Sequence, residues 1–76
     1  MSELLEELAR RLVDDPEAVR VEESDEHGVL VLRLHVAPDD VGKVIGRQGR
    51  IARALRTVVR ASAARREQRV MLEIVE

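Results

Sequence analysis

The chain divides into segments by the spacing of its apolar positions. In "SELLEELARRLV", Leu4, Leu5, Leu8, Ala9 and Leu12 recur at i, i+3 and i+4, which predicts an amphipathic helix over 2–14. Ser2 is placed to cap it, Glu3 and Glu6 near its start and Arg10 and Arg11 near its end suit the helix dipole, and Pro16 stops it. "AVRVEE" alternates weakly and predicts a strand over 18–23. "VLVLRLHV" alternates strongly over 29–36, sending Leu30, Leu32, Leu34 and Val36 to one face and Val29, Val31, Arg33 and His35 to the other. Between the two strands "SDEHG" reads as a hairpin turn, with Gly28 available for positive φ.

Pro38 then fits the first turn of a helix over 38–45, with Asp39 and Asp40 where the dipole favours acids and Val41, Val44 and Ile45 at helical spacing. A longer helix over 50–66 carries Ile51, Leu55, Val58, Val59 and Ser62 on one side and Arg50, Arg53, Arg56 and Arg60 on another. "RVMLEIVE" alternates as a last strand over 69–75, with Val70, Leu72 and Ile74 inward. The predicted order is α-β-β-α-α-β. It implies one α+β domain, a three-stranded sheet with helices packed on its leucine-rich face.

Composition narrows the functions open to such a domain. At 76 residues the chain has material for one core, and with no cysteine it has neither disulfides nor thiol chemistry. No apolar run approaches the roughly 18 residues of a membrane span and the N-terminus lacks a signal-peptide core, so a cytoplasmic location is expected. His27 and His35 stand apart from any nucleophile or ligand cluster, and the pairs Asp14-Asp15 and Asp39-Asp40 fit helix ends better than acid-base chemistry. We therefore expect no enzyme, no metal and no cofactor.

The net charge of −2 conceals a division: residues 1–28 sum to −7, residues 29–76 to +5, and no acid occurs between Val41 and Arg66. One-signed charge on part of a small fold suits a polyanion, a solvated basic helix being the plain alternative.

In this basic half lies "VGKVIGRQGR", where Gly42, Gly46 and Gly49 interrupt an otherwise helical run. Each glycine in a helix interior costs about 1 kcal/mol relative to alanine. The spacing matches neither a P-loop nor a dinucleotide fingerprint, and a G-x3-G pair signals helix pairing only in a long apolar span. A tight Gly46-Arg47-Gln48-Gly49 turn between two helices fits best, a corner that holds no ligand being its plain alternative. It puts Arg47 and Gln48 at the tip, leads into the arginine face, and lets a phosphate backbone come close to main-chain amides.

These residues carry a resemblance. Val44-Ile45-Gly46-Arg47-Gln48-Gly49-Arg50-Ile51 resembles the signature of the KH domain, and the element order is similar to its bacterial, type II form. Over nearly the whole chain, and most specifically in "VAPDDVGKVIGRQGRIA", it resembles the KhpA (YlqC-like) family of small bacterial single-KH-domain RNA-binding proteins.

The resemblance implies a GxxG loop at 46–49 that clamps about four single-stranded nucleotides, with bases in an apolar groove between the flanking helices and the sheet edge. Gly42 and the clamp residues Gly46, Arg47, Gln48 and Gly49 are the expected RNA-binding positions, with Lys43 and Arg50 as flanking charges and Arg53 within reach of phosphate. Val44, Ile45 and Ile51 are candidates for groove or core, core being favoured for Ile45 and Ile51.

It further implies single-stranded RNA as the ligand, a chaperone or post-transcriptional role, and a homodimer or a heterodimer with a KhpB-like multidomain KH protein. Without Phe, Trp or Tyr the domain has no stacking platform, so one copy should bind weakly, near micromolar or roughly −8 kcal/mol. The rival reading is a structural dimerisation protein for which RNA is incidental.

Overall fold

The computed structural model describes all 76 residues. Its elements run α1 (Ser2–Leu12), β1 (Arg20–Glu26), β2 (Val29–His35), α2 (Val41–Ile45), α3 (Arg50–Ala64) and β3 (Arg69–Ile74), with single 3-10 turns at Pro16–Ala18, Pro38–Asp40 and Arg47–Gly49. The sheet order is β1-β2-β3. β1 pairs antiparallel with β2 and β3 parallel to it, so the α2–α3 unit is the crossover between two parallel neighbours.

The core forms where the leucine face of β2 meets the helices. Leu32 and Leu34 are fully buried and join Leu5 and Ala9 of α1, Val19, Val44 of α2, Leu55 and Val59 of α3 and Leu72 of β3. Val70 and Ile74 pack on this cluster from the same face of β3. On the opposite face Arg33 binds Glu26 of β1 and Glu73 of β3, each at 3.0 Å, and donates to the Ser24 hydroxyl at 3.2 Å. One guanidinium thus ties all three strands.

Several boundaries differ from those the sequence predicts. α1 ends at Leu12, and Ser2 lies inside it with a buried, unpartnered hydroxyl while Met1 takes the cap position. β1 covers 20–26 rather than 18–23: Ser24, Asp25 and Glu26 are poor strand formers, but each finds a partner across β2. The hairpin turn is therefore only His27-Gly28, both at positive φ, with the Gly28 amide donating to the Asp25 carboxylate. The predicted helix over 38–45 divides into a 3-10 turn and the five-residue α2, while α3 stops at Ala64 and β3 at Ile74.

On α3 the buried stripe is Ala52, Leu55, Val59 and Ala63. Val58, expected inside, is 40% exposed, because the small alanines face the sheet and turn the larger valine outward.

Candidate nucleic-acid interface

Gly46 closes α2 through its amide, which donates to the Gly42 carbonyl at 2.9 Å, and then turns the chain at φ +76°. Gln48 and Gly49 follow at φ +57° and +72°, a tight corner that starts α3 at Arg50. No side chain caps α3; the Gly49 and Arg50 amides donate to the Gly46 and Arg47 carbonyls, which leaves those of Arg47 and Gln48 open to an outside acceptor. Arg47 and Gln48 are exposed at the tip. A phosphate at the corner would meet backbone N–H donors, a guanidinium and a carboxamide together, with the N-terminal end of the α3 dipole behind them.

The pairing of the basic side chains separates this region from the rest of the molecule. Arg10, Arg11, Arg20, Arg33 and Lys43 each have a carboxylate partner. Arg47, Arg50, Arg53, Arg56, Arg60, Arg65, Arg66 and Arg69 have none. All eight are exposed except the half-buried Arg56. They begin at the loop and follow α3, roughly 22 Å long, to the start of β3. Arg33 belongs to the basic half of the sequence, yet Glu26 and Glu73 neutralise it. The free positive surface therefore starts at Arg47.

Beside the end of this surface, α3 and the edge strand β3 enclose a depression lined by Arg60, Gln68 and Arg69 together with Val70 and Met71. It joins unpaired cations to apolar side chains, as a groove for bases beside a backbone track requires. A second depression lies between α1 and α3, lined by Leu8, Leu12, Ile51, Ala54, Leu55 and Val58 with Arg11 and Arg50 at its rim. Its floor offers a nucleotide almost nothing polar.

The remaining sequence-derived site residues fall out as follows. Gly42 is exposed in α2, and a Cβ there would meet nothing within 4 Å. Val44 is fully buried, whereas Ile45 is only half-buried and stays outside the main cluster; this reverses the expectation for Ile45, since helical spacing lets α2 send only one of two neighbours inward. Ile51 packs on the core and also lines the α1–α3 depression. Arg50 and Arg53 lie on the free basic surface.

Lys43 stands apart, because its ammonium lies on the carboxylates of Asp14 and Asp40. Its hydrogen bonds to Asp14 and then Asp40 hold it above the ordinary lysine range. The Asp40 contact has the i, i+3 spacing of a helical pair, but sequence spacing gives no sign of the contact with Asp14, which crosses 29 positions.

Residues 2–74 match the family model described as "KhpA/KhpB, KH domain". A protein named RNA-binding protein KhpA from Caldanaerobacter subterraneus subsp. tengcongensis is 51% identical over 75 residues, 99% of this chain and 100% of that one. The protein of the same name from Halalkalibacterium halodurans is 51% identical over 76 residues, covering both chains fully. The one from Treponema pallidum is 53% identical over 74 residues, 97% of this chain and 92% of its own.

Proposed function

Because the chain belongs to the KhpA/KhpB KH-domain family, we propose that it binds single-stranded RNA, with the backbone clamped at 46–49 and the strand following the α3 arginines. The observation that carries this reading is the pairing of charge: every lysine and arginine outside residues 47–69 is matched to a carboxylate and every arginine within them is free. Unpaired cations beside open amides supply the sequence-independent part of nucleic-acid affinity, and the α3–β3 depression takes bases. The relatives' shared name supports RNA as the ligand. The protein acts in the cytoplasm as a chaperone or post-transcriptional regulator, without catalysis.

The test is fluorescence anisotropy of a labelled single-stranded RNA at several salt concentrations. Wild type should show log K falling with log salt by about 0.7 per phosphate contacted. Arg47→Asp/Gln48→Asp, which keeps both glycines, should lose binding while remaining folded. Equal binding by the variant would reduce the loop to a corner.

A second copy of the chain, or a KH domain of a larger partner, raises avidity for RNA without new contacts at either site. We assign the α1–α3 depression to the second copy. Its lining suits a protein surface rather than RNA, and a domain with only 13 buried residues gains from burying Leu12 and Val58, which are 37% and 40% exposed. Val58→Asp should give a monomer by sedimentation with the fold intact; an unchanged dimer would place the contact elsewhere.

A further inference from the structure

Asp40 is the one charged side chain withdrawn from solvent, at 2% exposure, and the clamp makes no use of it. It occupies the cap position of α2, where an aspartate ordinarily accepts from the amides of its own helix. Here it makes no such bond. Its Oδ2 accepts the backbone N–H of Asp15 at 3.0 Å, and its Oδ1 accepts from Lys43 Nζ at 3.3 Å. The same ammonium reaches Asp14. The connection between α1 and β1 is thereby tied to α2 at the end opposite the loop.

α2 needs such a tie. Five residues cannot sustain a helix alone, so neighbours must fix its position. Val44 anchors its middle in the core and Ile51 packs against Gly46 at its end. Beyond the local backbone bonds of Asp40 and Val41 to Ala37 and Pro38, the Asp40 cluster is what ties its start to another part of the chain. Burial by itself would raise the Asp40 carboxyl, but the amides of Asp15 and Asp14 and the Lys43 ammonium outweigh burial and hold it below the ordinary carboxylate range. The group is ionised and satisfied, as a permanent structural anion must be.

We infer that Asp40 is a positioning residue: with Lys43 and Asp14 it latches the helix that carries the GxxG loop, and so sets RNA affinity without touching RNA. This rests on the clamp reading and reassigns Lys43 from a phosphate contact to the latch. A simple charge argument predicts the opposite sign. Asp40→Asn removes a negative charge near the loop and leaves Lys43 with Asp14 as its one carboxylate partner, which by electrostatics alone strengthens RNA binding.

The experiment measures anisotropy with a labelled ten-nucleotide single-stranded RNA for wild type, Asp40→Asn and Lys43→Met, beside amide hydrogen exchange of each. The latch predicts a Kd raised about tenfold in both variants, as the fraction with a competent loop falls to about a tenth. The salt slope stays at the wild-type value, and exchange quickens at 42–49 but not in β2 or α3. Tighter or unchanged binding by Asp40→Asn overturns the proposal. So does a slope reduced by about 0.7 in Lys43→Met, the mark of a lost phosphate contact. Should Asp40→Asn not fold, Lys43→Met decides, its side chain lying at the surface. A wild type indifferent to RNA overturns the clamp reading and the latch together, whereas variants that match a binding wild type overturn the latch alone.

Discussion

At Gly46 a Cβ would lie 2.6 Å from Cγ1 of Ile51, and φ is +76°, so both space and backbone demand glycine there. Gly42 has neither reason: its φ is not positive and a side chain would project into open space. The two therefore respond differently to alanine. Gly46→Ala should destabilise the fold by about 1–3 kcal/mol, measured by thermal or urea unfolding. Gly42→Ala should stabilise it by about 0.5–1 kcal/mol, since alanine is the better helix residue. If RNA lies against the α2 backbone, the same methyl group weakens binding, and anisotropy alongside a melting curve would show stability and affinity moving in opposite directions. The sequence displays all three glycines, but spacing alone cannot tell a steric need from a ligand's approach. Nor can it place Lys43, whose partners Asp14 and Asp40 come together only when α1 and α2 meet.

Among the elements, β2 was legible because leucine recurs at every second position from Leu30 to Leu34, and both its faces follow from that; its central place in the sheet is what the fold adds. β1 was only half legible: pairing with β2, not propensity, carries the strand through Ser24-Asp25-Glu26. The inner stripe of α3 was placed in part: Leu55 and Val59 are buried as predicted, but Val58 looks like core and Ala52 and Ala63 do not, whereas close packing on the sheet selects the smaller side chains. Leu34 is fully buried in β2, and Leu34→Ala should cost about 2–5 kcal/mol in urea unfolding.

The α2 latch gives a pH dependence. A carboxylate whose folded pKa lies below its ordinary 3.8 stabilises the fold above that value and loses its contribution as pH falls through the lower, folded value. Wild type should therefore lose stability more steeply than Asp40→Asn as pH drops below about 4, as acid unfolding followed by circular dichroism would show.

Across the whole molecule, charge is arranged by partner. Acids of α1 and β1 neutralise nearby bases, the Arg33 network neutralises the open sheet face, and the loop with α3 is left positive. The sequence shows the acid-free stretch plainly, yet a solvated basic helix would read the same; the absence of ion pairs at all eight arginines is what the folded chain adds. No helix is long and apolar enough to cross a membrane. Reversing charge at Arg53 or Arg60 should weaken RNA binding and flatten its salt slope without lowering the melting temperature, since both side chains are exposed and unpaired.

The most direct measurement is an amide chemical-shift titration of the isotope-labelled protein with a single-stranded RNA. Perturbations concentrated at 42–50, along the arginine side of α3 and at 68–71, with β1 silent, are the expected result. Shifts centred on β1 or on the Arg33 face of the sheet, with 46–49 unmoved, would contradict the assignment of the loop and α3 as the RNA-binding surface.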